Sequence, residues 1–384
     1  MKRQQDILET NRPRESAAAL RAITYENMKE AEGLFWLDAS RLGAPLPAPL
    51  LCVNTAWGTA EELLADMRPA VLMPPMQKKA RVHLLALGDV GGTVLIGLKL
   101  LGGDVISEIG ICDLSADMCR RWEYEMNQTS YPWDYDALPE VEIVPPERLF
   151  DCDVFVFCAS RAVPALGAEG TDVRMVQFEA NRKIVAQYAK MAAEADFAGL
   201  FAVVSDPVEP LCREALAAGG GLRSEKSENE NRGGLRPEQI QGYGLGVMNG
   251  RAAYYAKKDP RFASFLTEGR AYGPHGNDLV IANSIEHYDD ALSRELTKLA
   301  AEANLRTRET GFKPYIAPAL SSAAISLVLT LEGKWHYSSV FLGGVYMGCK
   351  NRFGECGLET EALPLPPELY DRLQYAWNRL AGIR

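Results

Sequence analysis

Residues 82–113 set the terms for the rest of the chain. The apolar run 82-VHLLALG enters the turn 88-GDVGGT, continues as the helically spaced 94-VLIGLKLLG, and is followed by a second apolar run, 107-SEIGICD, ending in Asp113. A buried strand, a glycine turn, a helix and another buried strand make a βαβ unit, which needs a parallel sheet covered on both faces. Two more runs of this kind, 153-DVFVFCA and 199-GLFAVVSD, follow with helical patterns between them. The predicted class is therefore α/β.

Outside that repeat the pattern changes. Residues 1–78 hold a helical segment over about 16–34, the proline-rich 44-APLPAPLLCV and a second helix near 59–67, but no readable motif. After about 209 the pattern is mixed, with helices near 279–303 and 366–382 around the β-rich 334-KWHYSSVFLGGVYMG. The charged, glycine-rich 218-AGGGLRSEKSENENRGGLRPEQ has almost no apolar residue to offset its ordering entropy and is expected to be a mobile loop. The expected domains are an N-terminal extension over 1–78, a parallel-sheet nucleotide domain over 79–208, and an α+β substrate domain over 209–384.

Charge and cysteine usage exclude several classes. A net charge of -10 without a basic tail argues against a nucleic-acid or anionic-membrane surface. The N-terminus has no apolar signal region, and no stretch reaches the run of about 18 apolar residues that spans a bilayer. The eight cysteines form no C-x-x-C pair and several lie in apolar runs, so free thiols, a reducing cytoplasmic setting and no metal site are expected.

The turn after the first strand carries chemistry. Gly88 and Gly91 let a pyrophosphate approach the backbone at a helix N-terminus, whose dipole favours its charge. The first glycine of the Rossmann fingerprint is replaced by Ala86, while Asp113 stands where an acid binds the adenosine ribose and would repel a 2′-phosphate, favouring NAD over NADP. The plainer reading is a bare βα turn, with Asp113 capping the helix that begins at Ser115.

Taken in order, 153-DVFVFCAS, 174-RMVQFEANRKIV, 203-VVSDPVEP, 244-GLGVMNGRAAYYA and 272-YGPHGNDLV resemble the landmarks of the lactate/malate dehydrogenase family, from about residue 81 to the C-terminus. The resemblance implies a Rossmann-type domain followed by an α+β substrate domain, NAD as cofactor, a small 2-oxo or 2-hydroxy acid as substrate, and a homodimer or homotetramer. It assigns His275 as the acid/base histidine, Arg174 as the loop arginine that stabilises charge on the substrate oxygen, and Arg251 as the carboxylate clamp. Ser321 becomes a pocket residue, its bland alternative being a helix N-terminal position. Gly88, Val90, Gly91, Asp113 and Asn181 are the expected cofactor contacts.

Two positions depart from the family. Met248 replaces the aspartate that orients the histidine, and a thioether is no strong acceptor. The family's Asn-Pro-Val-Asp reads Asp206-Pro207-Val208-Glu209. Asp206 would either repel a substrate carboxylate or supply the charge lost at Met248; Asn249 is a neutral alternative. The stretch 161-RAVPALGAEGTDV is longer than usual and apolar near Val163, which favours a monocarboxylate with a larger or apolar side chain over oxaloacetate. Three readings stand at this point: a 2-oxo acid dehydrogenase, a catalytically degenerate NAD-binding protein, and an enzyme acting on an amino or hydroxy compound for which the Asp206 carboxylate is a partner.

Overall fold

The computed structural model describes residues 21–23, 33–41, 50–53, 78–161, 173–221, 234–354 and 357–383. One eleven-stranded sheet dominates. Its strands in chain order are β1 (Arg21–Ile23), β2 (Leu50–Val53), β3 (Ala80–Leu85), β4 (Ile106–Cys112), β5 (Glu140–Ile143), β6 (Val154–Phe157), β7 (Leu200–Val203) and β8 (Ile240–Gly242). A separate antiparallel pair, β9 (Arg270–Tyr272) and β10 (Val280–Ala282), precedes β11 (His336–Leu342), β12 (Val345–Gly354) and β13 (Gly357–Glu361).

Across the sheet the order is β1-β2-β13-β12-β11-β8-β7-β6-β3-β4-β5. From β5 to β8 every neighbour pairs in parallel. Numbered by themselves, those six strands run 3-2-1-4-5-6, the doubly wound order that places a ligand crevice at the carboxyl ends of the strands. The sixth, β8, lies past residue 208, inside the stretch expected to be the substrate domain. Beyond it β11, β12, β13 and β2 continue antiparallel, so one sheet runs through both halves.

Helices α1 (Asp89–Leu101), α2 (Ala116–Asn127) and α3 (Val173–Glu194) connect the first parallel strands. Then come α4 (Val208–Ala218), α5 (Leu245–Ala256), α6 (Asp290–Glu309), α7 (Ile325–Leu331) and α8 (Pro367–Ala381). The strands at the centre explain why apolar runs were legible: all of β6 and β7 is buried. Each buried Val, Leu or Phe there contributes about 1.5–3 kcal/mol relative to exposure.

Several expectations are corrected. Arg21–Ile23 is a strand within the segment expected to be helical, because it pairs in parallel with β2. The expected helix at 279–303 begins only at Asp290; Asp289 caps it by accepting the Leu292 N–H at 2.9 Å, and Val280–Ala282 pairs with β9 instead. A wide π-type turn, Pro318–Ala324, leads directly into α7. Strand β5 was missed because its sequence, EVEI, buries only Val141 fully. The helix expected at 59–67 and most of the loop expected over 218–239 lie outside the described residues. The N-terminal stretch has a structural role: Leu34 and Leu37 are buried, and Asp38 Oδ1 accepts the Leu365 N–H at 3.3 Å.

Candidate active site

The carboxyl ends of the parallel strands converge on two groups of residues. At the end of β3, Ala86 adopts φ +73, the left-handed region where a Cβ costs about 1–2 kcal/mol and where the fingerprint has glycine. Gly91 is obligatory here, since a Cβ on it would lie 1.9 Å from the Ala86 carbonyl oxygen. Gly88 meets nothing within 4 Å, so open space lies over the turn. Val90 follows in the first turn of α1, whose opening N–H groups have no acceptor within the helix. Asp113 does two jobs: one carboxylate oxygen accepts the Leu87 N–H at 2.7 Å and the other accepts the Ser115 N–H at 2.9 Å. The acid thus stitches the glycine turn to the end of β4, and Ser115 caps α2.

The second group surrounds His275. Its backbone N–H donates to Glu209 Oε1 at 3.1 Å, and Ser339 Oγ donates to the same oxygen at 2.8 Å. Burial pushes the Glu209 carboxyl upward, opposed by His275 and by these hydrogen bonds. The flanking Gly273 and Gly276 take φ +90 and +135, and Gly273 exchanges backbone hydrogen bonds with Gly348 of β12. The glycine-flanked turn read from sequence is therefore a loop pinned to the sheet at one end and to α4 at its centre.

His275 Nδ1 lies 3.2 Å from Asp206 Oδ1. The partner on that nitrogen is Asp206, and Asn249 is not needed for it. Asp206 precedes a cis peptide bond to Pro207, and its carbonyl oxygen accepts from Asn181 Nδ2 at 2.8 Å. Asn181 also donates to Ser160 Oγ and accepts the Arg161 N–H. It is fully buried, so its carboxamide fixes the ends of β6 and β7 from beneath.

Met248 is buried in the small core beside Leu245 and Phe262, with its Sδ 3.6 Å from Arg251 Nη1. Arg251 is held partly out of water, which lowers its pKa. It lines a cavity of about 1040 Å³ together with Ser321, Tyr254, Tyr255, Phe312 and Ile316. The two residues expected to hold substrate thus share one cavity, while His275 and Asp206 are not among its lining residues. Arg174 occupies the opening turn of α3, and its side chain lies outside the described residues. Glu209, Ser339 and Ser322 were not anticipated. Ser322 Oγ donates to the Gly244 carbonyl and accepts the Val247 N–H, welding the start of α5 to the π-type turn.

The doubly wound sheet, with its glycine turn and its histidine–carboxylate pair, places the chain among α/β proteins with a Rossmann-type sheet. No family model matches the chain. It is 24% identical over 287 residues to a malate dehydrogenase of Sulfurimonas denitrificans, covering 71% of this chain and 82% of that protein. It is 25% identical over 203 residues to an L-lactate dehydrogenase of Treponema denticola, covering 52% and 56%. The malate dehydrogenase of Archaeoglobus fulgidus, solved with NADH, shares the fold at TM-score 0.60 and 17% identity, over 78% of this chain and 97% of that one. A lactate dehydrogenase from a deep-sea metagenome matches equally, at TM-score 0.60 and 16% identity, over 79% and 97%. In sequence the chain is similar to these malate and lactate dehydrogenases, and it shares the fold of the solved ones.

Proposed function

We propose that the chain is an NAD-dependent oxidoreductase interconverting a 2-oxo acid and a 2-hydroxy acid, its substrate a monocarboxylate with a large or apolar side chain. The observation that carries this reading is the 3.2 Å contact between His275 Nδ1 and Asp206. It gives the histidine a carboxylate partner although the family's own position is Met248.

The residues fit the cofactor. The space over Gly88, the orphan N–H groups of α1 and the Asp113 carboxylate suit a pyrophosphate and an adenosine ribose. Lys313, paired with Asp89 at 3.0 Å, adds a cation beside the turn. NAD bound there supplies hydride transfer at carbon 2 of the substrate. The Arg251 guanidinium clamps the substrate carboxylate, and Arg174 is assigned to the developing charge on oxygen by the family resemblance. Asp206 accepts a hydrogen bond from His275 Nδ1 and fixes the tautomer in which Nε2 exchanges the proton with the substrate oxygen. The aromatic and aliphatic walls of the cavity suit an apolar substituent.

The test joins NADH binding, followed by fluorescence, to turnover of 2-oxo acids by wild type and His275→Ala. The variant is expected to bind NADH as wild type does and to lose about 10²–10⁴-fold in turnover. Unchanged turnover would refute the assignment of His275. NADH binding by wild type without turnover of any acid would favour the degenerate NAD-binding reading.

A further inference from the structure

We propose that His83, Glu108 and Glu142 form a binding site for a divalent transition-metal ion that joins β3, β4 and β5 away from the glycine turn. Each residue offers one ligand atom, and all three atoms lie within 4.8 Å of one another. The register places them together: His83 pairs with Gly110 and Gly110 with Glu142, while Glu108 sits two residues before Gly110. Gly110 makes the approach possible, because a Cβ there would lie 2.4 Å from the His83 ring.

The histidine is the second, independent observation. A histidine 1% exposed in a parallel strand is out of place among Val82, Leu84 and Leu85 unless its nitrogens are used. Nδ1 donates to the Leu149 carbonyl oxygen at 2.9 Å. That fixes the proton on Nδ1 and leaves the Nε2 lone pair, which has no hydrogen-bond partner among the described residues. Metal-binding histidines are oriented in this way by a backbone carbonyl.

One imidazole and two carboxylates suit Mn²⁺, Zn²⁺ or Fe²⁺ better than Ca²⁺, with water completing the coordination. The site was invisible in sequence, since 25 and 34 residues separate the ligands and they converge only through strand order. Arg81 is the competitor: its Nε stands 3.8 Å from Glu108 Oε1, the place a cation would take. The ion would bridge the outermost parallel strands, where two glutamates otherwise face one another.

The experiment is a Mn²⁺ titration of the full chain after chelator treatment, followed by electron paramagnetic resonance; Mn²⁺ is chosen because it avoids cysteine thiols. One bound Mn²⁺ per chain is expected, with a rise in Tm. Glu142→Gln, at a half-buried edge position, is expected to lose the bound ion and the rise in Tm. Arg81→Gln is expected to bind more tightly. His287→Gln, in the exposed Glu268, Glu286 and His287 group, is expected to leave binding unchanged. No binding at millimolar Mn²⁺, binding that survives Glu142→Gln, binding not tightened by Arg81→Gln, or binding lost in His287→Gln would each overturn the proposal.

Discussion

On β6 and β7 all side chains are apolar and buried, whereas β12 and β13 bury Lys350, Asn351, Glu359 and Thr360 among apolar neighbours. In the parallel half, Phe155 packs edge-on against Phe201 at 4.9 Å between centroids. In the antiparallel half, Glu361 is held by Arg270 at 2.6 Å and Lys350 at 2.9 Å, and Glu359 pairs with Arg352 at 2.7 Å. The parallel half is stabilised by area removed from water, while the other half depends on matched charges that are costly to leave unpaired. Such contrast within one sheet separates a part whose pattern alone specifies it from a part specified by particular pairs.

Phe201→Ala should destabilise the parallel half by about 3–5 kcal/mol in denaturant unfolding, with little dependence on salt or pH. Glu361→Gln should cost about 3 kcal/mol by stranding Arg270 and Lys350 in the interior. Burial alone would raise the Glu361 carboxyl, but Lys350 and Arg270 hold it below the usual range. Its stabilisation is therefore present above the ordinary glutamate pKa and lost as pH falls through the depressed one. A Glu361→Gln variant whose deficit persisted unchanged into acid would remove the electrostatic half of the contrast.

The antiparallel half should also be the more acid-sensitive through His336, whose imidazole is pushed down to about 4 by burial. The unfolded chain takes up this proton near 6.5, so stability falls as pH drops from about 6.5 to 4, by up to about 3 kcal/mol. Melting curves across that window check the sign, and His336→Gln should flatten them. The smallest effect belongs to the parallel half: Ala86→Gly should stabilise it by about 0.5–1 kcal/mol, relieving φ +73 at some cost in chain entropy. A loss of stability there would mean that the turn is not strained.

The same contrast explains what was legible in the sequence. Strands β3, β4, β6 and β7 announced themselves as apolar runs ended by turn residues, and the glycine turn and Asp113 were placed through them. Strands β1, β5 and β8 were not, because three or four residues with half their side chains polar or small carry no period. The segment before residue 78 could not be assigned, since its partners lie over 300 residues away, as with Asp38 and Leu365. His275, Arg251 and Ser321 were singled out in sequence only by the motifs around them. The pairing of His275 with Asp206 was only one of two options, because residues 69 apart meet through the β7–α4 and β9–β10 connections. Glu209 and Asn181 hold the site from below, and such roles have no sequence signature.

The most direct measurement of the central claim is steady-state NADH oxidation with a panel of 2-oxo monocarboxylates, comparing wild type with Asp206→Asn. Turnover of at least one acid by wild type, cut about a hundredfold or more in kcat in the variant with NADH binding retained, is the predicted result. Equal kcat in the two proteins would show that Asp206 does not support His275, and would contradict the account.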